Sequence, residues 1–363
     1  MRILDKYILK ELLGPFFFGI AAFSSVFIGT STLFRIAQYV TKYGASILTV
    51  TKLFFYSLPG IIVLTFPMSM LLAALLAFGR LSGSSEITAM RSGGLSFYRL
   101  AVPVMITALV VSCAAIVLNE EVVPAANAGY SNIVRYEIEK NTRTKSQEHI
   151  VVKDVNKAGQ IERLTYAQNY MSDTNTLSKV SVQEFEAGRL VRLENAESAV
   201  WAADRWIMYN GTITDLSTEG RVTRTLKFTE QVMPITKNPT DISREQKKPD
   251  EMSMTELKQY IAVLKKEYAK TSNYEVELYQ RIAIPMASFV FAMIGTPLGL
   301  SPNRSSSSIG LGLSIIIIFM YYAVLTVCTA LGQGGAIPPL LAAWIPNIIG
   351  TLAGIYLIYK ASR

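Results

Sequence analysis

Histidine occurs once in the 363 residues, at His149, and cysteine twice, at Cys113 and Cys328. That inventory builds neither a conventional zinc site nor a histidine-based catalytic triad. Both cysteines fall inside apolar runs and read as small core residues, not as a disulfide. No G-x-x-x-x-G-K-[ST] motif occurs, so the chain has no P-loop with which to bind ATP. The most telling absence is of charge. Leu12 to Phe34, Leu53 to Gly79, Leu100 to Asn119, Ile282 to Asn303 and Ser305 to Tyr359 contain no Asp, Glu, Lys or Arg.

A helix crosses hydrocarbon with about 20 apolar residues. The last run is long enough for two spans, and Gly332-Gln333-Gly334-Gly335 with Pro338-Pro339 breaks it between them. The expected fold is therefore membrane α-helical, six transmembrane helices in a 3+3 layout, with an inserted all-β domain. Residues 1–124 would hold helices one to three, 125–274 the inserted domain and 275–363 helices four to six. A hydrophobic share of 50% and a positive mean hydropathy agree with an integral membrane protein. The first run is too long for a signal-peptide core and lacks a small-x-small cleavage site, so it reads as a retained helix.

The net charge of +8 is not a nucleic-acid footprint. Residues 122–275 hold 22 basic and 21 acidic residues, which leaves the excess on the membrane-flanking loops. Arg2, Lys6, Lys10, Arg80, Arg91, Arg99, Arg304, Lys360 and Arg363 fall on one side of the six spans. Arg35, Lys42 and Lys52 fall on the other. Basic loops stay in the cytoplasm, so both termini are expected there and the large domain outside, in a bacterial periplasm.

Pro59, Pro67, Pro285 and Pro297 remove backbone donors inside spans two and four, where kinks or broken ends are expected. Packing and a gating hinge both fit that pattern. From about Glu148 to Met233 the pattern turns to strands, with alternation in His149-Ile150-Val151-Val152, Lys179-Val180-Ser181-Val182 and Arg221 to Phe228. Ala187-Gly188, Ala203-Asp204 and Asn210-Gly211 read as turns. Asn210-Gly211-Thr212 also fits a glycosylation acceptor. The result is an antiparallel sandwich or partly open barrel. Val180, Val182, Phe185, Val200, Trp201, Trp206 and Ile207 are its candidate interior, either as core filling or as a greasy slot. Pro234 to Pro249 is a polar connector. Ser253 with Glu256 has capping-box spacing and opens a helix to about Tyr268, with Leu257, Ile261 and Leu264 on one face.

The loop between spans two and three places Ser84 or Ser85 to cap a short helix through Met90, ended by Gly93-Gly94. Ile87, Met90 and Arg91 share a face with Glu86 nearby. Such a helix either lies on the bilayer surface or docks in a partner's groove. The stretch Ser85-Glu86-Ile87-Thr88-Ala89-Met90-Arg91-Ser92-Gly93-Gly94 resembles the coupling-helix segment of the lipopolysaccharide-export permeases, the LptF/LptG family. Pro67-Met68, Tyr274-Glu275-Val276-Glu277-Leu278, Gly295-Thr296-Pro297-Leu298-Gly299-Leu300 with Arg304, and Leu340 to Asn347 are similar to the family's pattern in the same order. Leu4-Asp5-Lys6-Tyr7-Ile8 looks more like the LptG side than LptF.

The resemblance implies a permease subunit of an ABC transporter, not itself an enzyme. It would pair with a second permease of the family around an outward-facing lipopolysaccharide cavity. A cytoplasmic LptB-like ATPase dimer would use ATP and Mg, this chain binding no cofactor. The periplasmic domain would be a β-jellyroll that continues into LptC/LptA-like jellyroll proteins. The resemblance puts Glu86 at the polar contact with the ATPase, Ile87 and Met90 as apolar anchors and Arg91 at the rim. Arg35, Lys42 and Arg135 resemble basic positions that meet lipid phosphates, and for each the other reading is snorkelling to headgroups. Phe27, Phe66, Phe319 and Tyr322 are cavity-lining candidates by type alone. Tyr56, Tyr98, Tyr321, Trp344 and Tyr356 are candidates for interfacial anchors. A different class of function also fits the layout: a non-transporting scaffold whose outer domain binds an envelope protein. An ion-coupled transporter and an intramembrane enzyme fit less well, because charges are scarce at span centres and no acid–base constellation is evident.

Overall fold

The computed structural model describes residues 3–138, 147–155, 161–171, 174–186, 188–202, 204–217, 220–235, 239, 248–266, 270–300 and 307–362. Arg2, Ala187, Ala203, Arg304, Arg363 and most of the 234–249 connector lie outside those residues. The chain divides into two compact units. One comprises Met1–Glu139, Pro249–Lys258 and Thr271–Arg363, the other Lys140–Lys248 and Gln259–Lys270.

The first unit holds 6 helices long and apolar enough to cross a membrane. They are Ile3–Tyr43, which contains a π-turn at Ile28–Thr32, Ile47–Gly83, Phe97–Asn132 with a π-helical extension Ile133–Ile138, Ser272–Leu298, Ser307–Gly334 and Pro339–Ser362. Local chemistry sets their ends. Gly44, at φ +66, stops the first where a side chain would be strained. Ser46 starts the second by accepting from Thr49 N at 3.2 Å. Gly335, at φ +86, ends the fifth in the glycine-rich break, and Pro339 opens the sixth at the position where a missing N–H costs nothing. Pro59, Pro67 and Pro285 stay inside unbroken helices, whereas Pro297 stands one residue before the fourth span ends at Leu298.

The second and fourth spans form the buried middle of this unit. Small residues let the backbones meet: a Cβ on Gly295 would stand 2.9 Å from Ala74 Cβ and 3.1 Å from Leu71 O. Tyr321 is not an interfacial anchor. It is buried, and its hydroxyl donates to Asn347 Oδ1 at 2.9 Å, while Asn347 Nδ2 donates to Ala283 O at 2.7 Å. The third helix runs past the 124/125 division to Ile138, with Pro124 inside it. The chain passes from one unit to the other at 139/140, 248/249, 258/259 and 270/271.

The second unit is a six-stranded antiparallel meander in the order β1-β2-β3-β4-β5-β6. Its strands are β1 Gln147–Val155, β2 Ile161–Met171, β3 Thr176–Glu186, β4 Arg189–Ala202, β5 Arg205–Leu216 and β6 Val222–Val232. It is one continuous sheet, which agrees with the partly open barrel expected from the sequence and not with a two-sheet sandwich. Asn210-Gly211 is not a turn. It lies inside β5, and Gly211 is required there because a Cβ would come within 2.3 Å of Asn195 O on β4. Val180, Val182 and Trp206 are buried in the sheet's core and Trp201 packs against it, whereas Phe185, Val200 and Ile207 remain half-exposed. The helix Met254–Lys266 opens with the expected reciprocal cap: Ser253 N donates to Glu256 Oε2 at 3.0 Å and Glu256 N donates to Ser253 Oγ at 3.1 Å.

Candidate functional site

The loop between spans two and three forms a short helix, Glu86–Ser92. Neither serine caps it through its side chain. Ser85 takes a left-handed conformation at φ 59, and the Ser84 hydroxyl, with one proton to give, lies 2.8 Å from Glu86 Oε1 and 3.0 Å from Arg80 O. Gly94, at φ +88, ends the helix together with a Leu95 N to Met90 O bond of 3.1 Å.

Glu86 is half-buried and both its oxygens are engaged, because Tyr7 Oη donates to Oε2 at 2.7 Å. These bonds favour the anion, so the Glu86 carboxyl is held below its ordinary pKa, by Tyr7 first and Ser84 second. Each carboxylate oxygen keeps a second lone pair for a cationic donor from outside. Ile87, expected as an anchor on a partner, is turned inward instead. It is 4% exposed within the cluster that contains Ile8, Leu12, Ala77, Leu81 and Phe97. Met90 packs partly against the same cluster, and Thr88, Ala89 and Arg91 are left as the helix's outer face.

The start of the first span grips this region at three points. Asp5 pairs with Arg99 at 2.7 Å, Tyr7 with Glu86, and Glu11 with Arg80 at 3.0 Å. The loop helix is thus joined by polar links and by the Ile87 side chain to the first, second and third spans at once. Composition did not single out Asp5, Tyr7 and Glu11. The available signal was two carboxylates in an otherwise basic flank, with Tyr7 and Glu11 one helical turn apart.

The positions expected to meet lipid phosphate do not gather. Arg35 and Lys42 are exposed on one stripe of the first helix, seven residues apart, which is about 10 Å along the axis. Lys42 Nζ lies 5.5 Å from the Tyr43 ring centroid. Arg135 is engaged elsewhere, with Nη2 2.9 Å from Oε1 of Glu251, a residue only 3% exposed. That ion pair belongs to a clasp on the returning segment 249–255. Arg281 donates to the Pro249 and Met252 carbonyls, Asn127 Nδ2 to Asp250 O at 2.8 Å, and Met254 N to Glu120 Oε2 at 2.7 Å.

The four aromatic candidates are also dispersed. Phe66 packs edge-on against Phe16 with ring centroids 5.8 Å apart. Phe27 is half-buried and Phe319 is 71% exposed. The Tyr322 ring stands 5.4 Å from that of Tyr321, with its hydroxyl buried and unpartnered among the described residues. Among the described residues no group of three or more His, Cys, Asp or Glu could hold a metal ion.

Residues 6–360 match the family model described as lipopolysaccharide export system permease LptF/LptG. The chain is 21% identical over 359 residues to lipopolysaccharide export system permease protein LptG of Haemophilus influenzae, covering 96% of each chain. It is 23% identical over 313 residues to the LptG protein of Escherichia coli K12, covering 84% of each.

Proposed function

Because the chain belongs to the LptF/LptG family of lipopolysaccharide export permeases, we propose that it is the permease subunit through which a separate ATPase drives lipopolysaccharide out of the inner membrane. In this reading both termini and the Glu86–Ser92 helix face the cytoplasm, and the six-stranded unit is periplasmic, as the distribution of basic residues favours. The chain carries no P-loop motif, so in this reading work enters through contact with a nucleotide-binding partner, an LptB-like ATPase dimer. A second permease of the family completes the lipid path, and the β unit hands the lipid to jellyroll proteins of the LptC/LptA kind.

The observation that carries this reading is the fastening of the loop helix. A helix of seven residues has no stability of its own. Here its inner face is buried through Ile87 and its first residue is tied to span one through Tyr7. Pushing on the outer face, Thr88, Ala89 and Arg91, therefore moves the spans rather than deforming the loop. Glu86 supplies the fixed negative charge for a cationic partner, Met90 and Arg91 the neighbouring contact, and Ile87 the connection inward. A scaffold without ATP-driven motion has no use for such a linkage.

Glu86→Ala is expected to leave the chain folded and to weaken co-purification of the ATPase about tenfold, with a matching fall in ATP-dependent lipid release. Unchanged co-purification and release would refute the docking role. Arg35 and Lys42 form the exposed cationic stripe for lipid phosphates. Arg35→Glu should lower lipid crosslinking beside it, and normal crosslinking and export would remove that role.

A further inference from the structure

The sheet carries one anomaly on alternate strands. His149 on β1, Lys179 on β3 and Asn210 on β5 all have positive φ, at 55, 48 and 51. The registers align them in a single transverse row with Gln168, Glu197 and Thr229. A non-glycine residue in this conformation carries backbone strain. The row resets the pleat: Ala167 and Tyr170, Leu177 and Val180, and Ala196 and Ala199 are pairs three residues apart that all enter the same core. In an unbroken strand residues three apart face opposite sides. The sheet is creased along this line.

A groove of about 1030 Å³ follows the crease. Lys179, Lys227 and Lys270 line it, and none of them makes an ion pair among the described residues. Its carboxylate, Glu197, already accepts from Asn210 Nδ2 at 3.3 Å. Ser181 lines the groove at 5% exposure, and its hydroxyl is buried with no hydrogen-bond partner among the described residues. A buried hydroxyl without a partner is costly in the empty protein and is satisfied by a ligand oxygen. Three cations against one carboxylate leave the groove lining net positive, which favours an anion. The volume exceeds that of a bare oxyanion and suits a sugar-sized carrier.

We propose that this crease groove is a binding site for a phosphate monoester, held by Lys179 and Lys227 and by a hydrogen bond from Ser181. The inference rests on the export reading in one respect, that the phosphoryl group then arrives on a glycolipid. A soluble sugar phosphate offers the same chemistry and is the other source.

The test uses the full chain in its membrane complex, in detergent, with a photoreactive phenylalanine analogue at Thr212. The probes are a phosphorylated acylated diglucosamine lipid and the same lipid without phosphate, each with and without soluble glucosamine phosphate as competitor. Labelling should favour the phosphorylated lipid about tenfold, and Lys179→Gln with Lys227→Gln should remove that preference. Competition by glucosamine phosphate at low concentration would identify the soluble ester as the source, and its absence the lipid headgroup. Ser181→Ala should weaken labelling about threefold while leaving Tm unchanged or raised, because it deletes an unpaired buried group. A structural role for Ser181 would lower Tm instead. Equal labelling by both lipids, or a preference untouched by the lysine substitutions, overturns the site. A complex that releases lipid with ATP yet labels both probes equally refutes the crease and leaves the export reading standing. One that labels selectively yet releases nothing does the reverse.

Discussion

The two ends of the helical unit are fastened in opposite ways. At the end that carries the loop helix, the links that reach the loop have an exposed partner: Glu11, itself 12% exposed, to Arg80 at 68%, and Tyr7 to Glu86, while Asp5 at 14% and Arg99 at 28% pair more deeply beside them. At the other end, the clasp on residues 249–255 is buried, with Glu251 at 3% and Arg281 at 11% side-chain exposure. Exposed pairs are worth little and exchange readily with water, whereas a buried pair cannot open without stranding a charge. The Glu11–Arg80 link is therefore built to be re-formed and the Arg135–Glu251 clasp to stay shut. That is the arrangement expected of a lever whose driven end must shift against a partner while its far end holds the returning chain.

The largest expected effect tests the shut end. Arg135→Ala leaves Glu251 buried without its cation, and should cost about 3 kcal/mol of stability. Thermal unfolding in detergent measures it. A change under about 0.5 kcal/mol would place the clasp in the same class as the exposed pairs and end the contrast. Arg135→Lys, which keeps the charge, should recover part of the loss.

Between the ends, the unit depends on close approach of helices. Gly295→Val must push Ala74 and the Leu71 carbonyl away, for about 2 kcal/mol. The same measurement on Arg80→Ala should give no more than about 0.5 kcal/mol, yet the Arg80 variant should uncouple ATP hydrolysis from lipid release. Equal stability losses for Gly295→Val and Arg80→Ala would mean that the exposed link is structural and not mechanical.

Much of this was legible in the sequence because hydrocarbon imposes a simple rule. Charge-free runs, the Gly332 to Gly335 break and the Ser253–Glu256 cap all report local chemistry, and each is found in place. The motif around Glu86 located the loop helix. What the sequence did not disclose depends on long-range meetings. Ile87 faces the core because the start of the first span packs there, and Arg135 is occupied because a residue 116 positions later comes back to it. Asn210-Gly211 is the sharpest case. The pair has ideal turn chemistry, but its left-handed residue serves a crease shared by six strands. A local rule recognises the conformation and cannot say what it is for.

The smallest effect concerns protons at the movable end. The Tyr7 hydrogen bond is the first cause of the lowered Glu86 pKa. A depressed carboxyl contributes its charge fully above the ordinary glutamate value of about 4.3 and loses it only as pH falls through the lower, bound value. ATPase docking through Glu86 should accordingly be flat from pH 8 down to about 5. Tyr7→Phe deletes the donor and keeps the ring, so Glu86 returns toward its ordinary value and docking begins to fade at a higher pH than in the parent chain. Binding of the ATPase across that range, with Ser84→Ala as the weaker second perturbation, orders the two donors. If Tyr7→Phe and the parent titrate together, the hydrogen bond does not set the charge state of the docking carboxylate. The first span then grips the loop helix only through its ion pairs and the packing around Ile87.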